Sequence, residues 1–224
     1  MHFFKYSSLL LAVILFTQCK KPAFYSIQEQ KELGQQVRDE ILSKPNEYPV
    51  MSQQKYPEAY RHINRITNTI LNSGKVKHRN DFDWEVYLIQ DDKTLNAFCT
   101  PGGYIFVYTG LIKYLDTEDQ LAGVMGHEIA HADLEHSARQ IEKQQGVAVG
   151  VSVLAAVLLG NSRASQDAAG LVSGVIGLTF SRKHETEADM NSVVYLANTP
   201  YQCTGAAGFF QKVTSEGKSS QPAF

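Results

Sequence analysis

The sequence predicts a single α+β domain in which one long helix packs beside a small mixed sheet. Apolar residues recur at helical spacing over residues 26–44, 57–72 and 116–145. Apolar and polar side chains alternate as in strands over residues 84–90, and a second strand is predicted over 104–108. The 224 residues are enough for one domain with a sizeable core, or for two small ones.

The overall composition excludes some classes of partner. The net charge is −2 and charged residues make up 20% of the chain, so nothing indicates a nucleic-acid partner. The composition is ordinary for a globular protein, and the chain has no internal repeat.

The first nineteen residues form a segment of their own. Lys5 is followed by an apolar run from Leu9 to Phe16 and then by Cys19. The run is too short to span a bilayer, whose core needs about 20 apolar residues, and it is typical of the hydrophobic part of an export signal. We therefore predict a signal over residues 1–19 and a short tether over 20–25. A short uncleaved anchor is the alternative.

The cysteines are consistent with export. A cysteine directly after an apolar run resembles the bacterial lipoprotein signal, which implies that Cys19 is lipidated and becomes the mature first residue. Phe16 and Gln18 stand where smaller residues are usual in that signal. Cys99 and Cys203 then remain as an even pair, which predicts a disulfide or, alternatively, two free buried thiols.

Two helices are predicted to precede the strands, within a domain that we place at residues 26–224. Ser26 and Glu29 have the spacing of a capping box, which marks the start of the first helix. The second helix is predicted over residues 57–72, because isoleucines recur on one of its faces and Ser73-Gly74 follows.

The central part of the chain carries the strand signals. Residues 84–90 alternate between apolar and polar side chains, and residues 95–99 and 104–108 are also predicted to be extended. Pro101-Gly102-Gly103 predicts a turn between the last two strands. Residues 111–115 are predicted to form a short helical connection into the long third helix.

The third helix carries the motif His127-Glu128-Ile129-Ala130-His131. We predict that it begins at the N-cap Asp116 and continues to about Gln145. Residues four apart on a helix differ by about 40° and rise by roughly 6 Å, so both histidines can direct a nitrogen at one metal ion. The glutamate lies beside the metal, where it can take a proton from a water. This pattern is typical of the zincin active-site helix; a structural zinc site would instead need four protein ligands.

A third metal ligand is predicted after residue 180. Two histidines and a water leave zinc one protein ligand short, and a carboxylate is the usual completion. Glu185 shares a helical face with Asp189, whereas Glu187 points about 160° away from Asp189. We therefore predict Glu185 as the ligand and Asp189 as the acceptor for the outer N–H of a metal-bound histidine. A charged, solvated helix start is the alternative.

Two further histidines are excluded from the metal. On a continuous helix His136 lies about 140° round from His131 and cannot reach the same ion. His184 is next to the predicted ligand but has no assigned contact. Both are interpreted as structural or surface residues.

The segment Asn96-Ala97-Phe98 is a candidate for substrate binding. Several zincins bind the substrate backbone as an extra strand along the sheet edge above the metal. Two glycines follow this segment at 102 and 103, and they would allow close approach of a backbone. An ordinary core strand followed by a turn is the alternative.

Two apolar stretches separate the metal-binding motif from its third ligand. Residues 146–159 and 168–180 are each too short for a membrane span. We predict a helical hairpin over residues 146–180 that packs on the domain or covers the cleft. Contact with a membrane surface is the alternative.

Several motifs together resemble the metallopeptidase family of the CAAX prenyl endopeptidases and the bacterial quality-control proteases HtpX and BepA. They are His127-Glu128-Ile129-Ala130-His131, Ser181-Arg182, Glu185-x-x-Ala188-Asp189, Asn96-Ala97-Phe98 and Pro101-Gly102-Gly103. The resemblance covers about residues 26–215. It implies the gluzincin form of the zincin fold, one zinc ion per chain and endopeptidase activity.

The resemblance also implies a cellular setting. An exported, lipid-anchored member is expected on the periplasmic side of the bacterial envelope, with misfolded or unassembled envelope proteins as substrates. Such members commonly continue into a His-Pro segment beyond the position of Phe224, where this sequence stops, so no C-terminal cleft-blocking or transition-state histidine is assigned. Two alternatives stay open: a zinc-binding, chaperone-like envelope lipoprotein with little hydrolysis, and a structural lipoprotein that binds no zinc. The oligomeric state is not predicted.

Overall fold

The computed structural model describes residues 25–143, 174–175 and 177–216. The predicted signal over residues 1–19, with Cys19, therefore lies outside the described residues. So do all but the last residue of the predicted tether and most of the predicted hairpin over 146–180. These interpretations, and the domain limits that depend on them, stay predictions.

The described part of the chain combines helices with a small sheet, which confirms the predicted α+β class. The helices are α1 (Ile27–Ser43), α2 (Pro57–Leu71), α3 (Thr109–Tyr114), α4 (Glu118–Asp133), α5 (Arg182–Leu196) and α6 (Gly205–Ser215). The strands are β1 (Glu85–Ile89), β2 (Ala97–Cys99) and β3 (Tyr104–Tyr108), with a 3-10 turn at Pro101–Gly103. Residues 136–143 are also helical.

The sheet has the strand order β1-β3-β2, with β3 parallel to β1 and antiparallel to β2. The predicted mixed sheet is thereby confirmed, and β2 forms one of its edges. Hydrogen bonds of 3.0 Å from Tyr108 N to Asn96 O and of 2.9 Å from Thr100 N to Tyr104 O join β2 to β3. Bonding to an antiparallel neighbour alternates along a strand, so the backbone groups of Ala97 and Cys99 face away from β3.

Helix α4 lies at the centre of the main hydrophobic core. Each of its residues from 122 to 133 is buried, and it packs against α2, α5, α6 and β2. Small residues permit this close packing of α4. A Cβ added to Gly123 would lie 2.0 Å from the backbone nitrogen of Ala206 in α6. Because α4 is enclosed on several sides, the side chains at its centre are removed from solvent.

The helix starts follow the predicted chemistry with one correction. Ser26 and Glu29 form the predicted capping box of α1. The N-cap of α4 is Thr117, whose hydroxyl accepts a hydrogen bond of 3.2 Å from the backbone N–H of Gln120, and not the predicted Asp116. Asp116 instead lies one residue before the N-cap and donates its own backbone N–H to the Gln120 side chain at 2.6 Å.

The third helix is interrupted, so the prediction of one continuous helix to residue 145 is wrong. α4 ends at Asp133, and Glu135 has a left-handed backbone with a φ of 60° before helical residues 136–143. The Asp133 carboxylate accepts a hydrogen bond of 2.6 Å from the backbone N–H of His78. A loop from a distant part of the chain therefore binds the end of the helix and stabilises the break.

The Glu135 carboxylate at this break is held by residues from two other parts of the chain. It lies 3.4 Å from His78 Nε2 and 3.6 Å from Lys77 Nζ, and it accepts a hydrogen bond of 3.3 Å from Gln30 Nε2. The contact with His78 is the main reason that the pKa of Glu135 falls to about 2, against the opposing effect of burial. The same contact raises the pKa of His78.

Replacing Glu135 by Gln is expected to destabilise the fold by about 1–3 kcal/mol, because it removes the negative charge of a partly buried ion pair with His78. The Glu135 contribution is present above pH 4.5 and is lost as the pH falls towards 2. The His78 contribution is complete below pH 6.5 and is lost as the pH rises through its folded pKa. The difference between the two proteins should therefore be largest between pH 4.5 and 6.5.

Urea unfolding across the acid and neutral range measures this difference. A chelator should be present in every sample, so that metal binding does not contribute to stability. A difference that is the same at all pH values would contradict the assignment of the ion pair.

Cys99 and Cys203 are both free thiols in the structure, so the predicted disulfide is not formed there. Cys99 is buried beside Glu128, in the C-terminal half of α4. Cys203 instead precedes α6, where a Cβ added to Gly205 would lie 1.9 Å from the carbonyl oxygen of Asp119, near the start of α4. Cys99 is buried, as the alternative of two free buried thiols expects, but Cys203 is only partly buried, so that alternative is right for Cys99 alone.

Within residues 25–143 and 177–216, no helix has the length and apolar character that a membrane crossing needs.

Candidate metal centre

His127 and His131 project from the buried centre of α4 towards Glu185 in the first turn of α5. His127 Nε2 lies 3.0 Å from His131 Nε2 and 3.5 Å from Glu185 Oε2, and His131 Nε2 lies 3.8 Å from Glu185 Oε1. Donor atoms about 2.1 Å from a tetrahedral zinc ion are about 3.4 Å apart, so these spacings fit such an ion. The structure thus brings together the three residues that the sequence predicts as ligands.

The packing of α5 on α4 positions the third of these residues. A Cβ added to Gly126 would lie 2.6 Å from Ser192 Oγ, so a glycine at this position permits the close approach of the two helices. Ser181 caps α5, because its hydroxyl accepts a hydrogen bond of 3.2 Å from the backbone N–H of His184. The helix therefore begins one turn before Glu185, and that turn faces the two imidazole rings.

Glu128 is buried on the side of α4 that faces strand β2. Its carboxylate accepts a hydrogen bond from the backbone N–H of Cys99. Its other oxygen, Oε1, has no hydrogen-bond partner among the described residues. Burial raises the pKa of this carboxyl to about 8, the effect of Glu185 adds to the rise, and His127 opposes it. Glu128 therefore presents one buried carboxyl oxygen without a partner among the described residues, next to His127.

Asp189 is the outer partner of His127. Its Oδ1 lies 2.9 Å from His127 Nδ1, on the side of the ring opposite the nitrogen that faces Glu185. Burial lowers the pKa of His127, but the hydrogen bonds with Asp189 and Glu185 outweigh burial and raise it to about 9. The carboxylate thus orients the ring and favours a proton on Nδ1, which leaves Nε2 available for a metal.

His136 is fully buried beside His131, although it is not part of the candidate ligand group. Its Nδ1 lies 3.1 Å from His131 Nδ1, and its Nε2 lies 3.2 Å from Glu187 Oε2. The interpretation of His136 as a structural or surface residue assumed a continuous helix. The left-handed turn at Glu135 removes that assumption and directs His136 back towards His131.

Strand β2 lies beside the centre and includes the segment predicted to bind substrate. Asn96, Ala97 and Phe98 are all buried, and Asn96 Oδ1 has no hydrogen-bond partner within the described ranges. The outward-facing backbone of Cys99 is already used, because its N–H binds Glu128 and its carbonyl accepts a hydrogen bond of 3.2 Å from Ser137. The outward-facing backbone groups of Ala97 are the ones that an added strand would meet, and this role stays a prediction.

The sequence did not indicate the residues that support His131. Phe180 stacks on His131 with ring centroids 4.0 Å apart, and His184 stacks on His136 at 4.4 Å. Glu187 was set aside because it points away from Asp189 on α5, yet it contacts His136. No local signal marks these contacts, since the turn that creates them has a glutamate at the left-handed position.

A peptidase family model and several proteins named as peptidases match this sequence. A family model described as peptidase family M48 matches residues 57–223. The mitochondrial metalloendopeptidase OMA1 of Schizosaccharomyces pombe is 30% identical over 194 residues, which cover 86% of this chain and 55% of that protein. The beta-barrel assembly-enhancing protease of Yersinia pestis is 30% identical over 206 residues, which cover 88% of this chain and 40% of that protein.

A third relative extends the same comparison. The beta-barrel assembly-enhancing protease of Escherichia coli strain K12 is 31% identical over 157 residues, which cover 66% of this chain and 32% of that protein. The chain therefore spans little more than half, or less, of the length of these relatives.

Proposed function

The chain belongs to peptidase family M48, and on that premise we propose that it is a zinc-dependent endopeptidase with a gluzincin-type, zincin-like active site. The observation that carries this proposal is the convergence of three donor atoms within 4.8 Å of one another beside the buried carboxylate of Glu128. Two imidazoles and one carboxylate are a typical donor set for catalytic zinc, which keeps a fourth position for water or substrate.

His127, His131 and Glu185 would hold the zinc ion, one per chain. The ion supplies Lewis acidity, which polarises a carbonyl and lowers the pKa of a water. Glu128 takes the proton from the attacking water and passes it to the leaving amine. Its burial supports this assignment, because burial raises the pKa of the carboxyl and so strengthens its hold on a proton taken from water.

The sheet edge would position the peptide. We propose that the substrate backbone binds along β2 at Asn96, Ala97 and Phe98, as an additional strand. The backbone of Ala97 faces away from β3, and the next outward-facing residue, Cys99, donates its N–H to Glu128. A peptide on this edge would therefore lie close to the proton acceptor.

The proposed substrates are misfolded or unassembled envelope proteins. Two relatives are named beta-barrel assembly-enhancing proteases, and the first nineteen residues have the pattern of a lipoprotein export signal. A lipid on Cys19 would attach the enzyme to a membrane, on the periplasmic side. Mass spectrometry of the mature protein would test this, because an unmodified N-terminus would contradict lipidation.

Metal analysis together with proteolysis tests the proposed function. We expect one zinc ion per chain, and cleavage of an unfolded substrate such as casein that stops when a chelator removes the metal and resumes when zinc is restored. Stoichiometric zinc without cleavage under any condition would support the alternative of a zinc-binding, chaperone-like lipoprotein. Absence of stoichiometric zinc would contradict both.

A further inference from the structure

The ligand His131 has an outer partner of an unusual kind. His127, the other histidine of the centre, is supported by the half-exposed carboxylate of Asp189. His131 Nδ1 instead meets the ring of a second histidine, His136, at 3.1 Å, and His136 is 0% exposed. His136 Nε2 in turn lies 3.2 Å from Glu187 Oε2. The three side chains form a line that begins at the centre and ends at α5.

The proton positions on His131 and His136 follow from the way in which His131 would bind a metal. If His131 binds a metal through Nε2, its proton is on Nδ1, so Nδ1–H must donate to His136 Nδ1. His136 then carries its own proton on Nε2, which donates to Glu187. Every N–H in the line has an acceptor, so a single arrangement of protons satisfies all three side chains.

Stacked aromatic rings hold His131 and His136 in place. Phe180 stacks on His131 with an interplanar angle of 23°, and His184 stacks on His136 with an angle of 15°. Because His136 is removed from solvent, water does not compete for its contact with His131. Rotation of either ring would leave a buried polar nitrogen without its partner, which costs about 1–3 kcal/mol.

We propose that His136 is a positioning residue of the metal centre, and that it fixes the tautomer and orientation of His131 through a hydrogen bond supported by Glu187. This inference rests on the proposed function, because it assigns a task to a residue next to the metal. Its expected consequence is tighter metal binding, since partners behind metal-bound histidines typically change the affinity by about 10–100-fold.

Substitutions at His136 and Glu187 distinguish the positioning of His131 from a purely structural role of these residues. His136→Leu removes the acceptor and should weaken zinc binding by about 10–100-fold in competition with a chromophoric chelator. His136→Asn places an amide oxygen near the position of Nδ1 and should restore most of the affinity. Glu187→Leu should weaken binding, and Glu187→Gln, which keeps an acceptor oxygen, should weaken it less.

A core substitution provides the matched control for lost stability. Ile66→Ala in α2 removes a buried side chain of the main core and should lower the unfolding temperature by creating a cavity. The zinc affinity of its folded form should stay that of the unsubstituted protein. If His136→Leu binds zinc as tightly as Ile66→Ala, or if His136→Asn is as weak as His136→Leu, the proposal is overturned.

The tautomers give a second readout that does not depend on affinity or activity. Long-range nitrogen–proton NMR spectra of the zinc-loaded protein should show His131 protonated on Nδ1 and His136 protonated on Nε2. A His136 ring protonated on Nδ1 would overturn the proposed hydrogen bond while leaving the peptidase proposal intact. A protein that binds no stoichiometric zinc would overturn both.

Discussion

Replacing Glu128 by Gln is expected to abolish casein cleavage and to leave the zinc content unchanged. Glutamine has nearly the same shape and keeps an oxygen that can accept the backbone N–H of Cys99, so the fold around the site is retained. The amide cannot take a proton from water. General-base catalysis typically contributes about 10²–10⁴-fold, so we expect kcat/KM to fall by at least about 100-fold.

A matched substitution on the same helix controls for the loss of a carboxylate. Glu118 lies in the first turn of α4 and pairs with Arg65 at 2.6 Å, away from the metal centre. Glu118→Gln should keep both zinc and cleavage. Cleavage by Glu128→Gln at the rate of the Glu118→Gln protein would refute the assignment of Glu128 as the general base.

Replacing Glu185 by Ala is expected to remove both zinc and activity. The carboxylate is the third donor beside two neutral imidazoles, and an ion held by two side chains alone lacks the charge and the geometry of a catalytic site. The loss of affinity should exceed the roughly 10–100-fold that removal of an outer partner costs. Metal analysis after dialysis and chelator competition measure this loss.

Thr186→Ala is the control for this substitution, because Thr186 lies in the same turn of α5 and its hydroxyl donates to the carbonyl oxygen of Arg182 in the same helix, at 2.8 Å. It should keep the zinc. Full zinc content in the Glu185→Ala protein would show that another residue, such as Glu187, completes the site.

The candidate ligand group of His127, His131 and Glu185 was predictable because each part of it depends on local geometry. His127 and His131 are one turn apart on a helix with clear periodicity, and Glu185 and Asp189 have the same spacing on another helix. Such spacing determines which side chains share a face, whatever the rest of the fold does. Only the meeting of the two helices depends on distant contacts, and the chemistry of a three-ligand metal indicates that they must meet.

The break in the third helix was not predictable, because it depends on contacts with distant parts of the chain. Leu134 and Glu135 carry no helix-ending signal, since neither is glycine or proline. The contacts that stabilise the break come from Gln30 and His78, which are 105 and 57 positions away from Glu135 along the chain. The buried place of His136 depends on this turn, so it could not follow from periodicity.

The two backbone hydrogen bonds of Cys99 bear on which residues position 99 tolerates. The N–H that orients Glu128 and the carbonyl that binds Ser137 both belong to the main chain, so they do not depend on which side chain occupies position 99. The orientation of the Glu128 carboxylate therefore depends on the course of the backbone at Cys99. We therefore expect that another small apolar residue at position 99, as in Cys99→Ala, would leave the orientation of the Glu128 carboxylate unchanged.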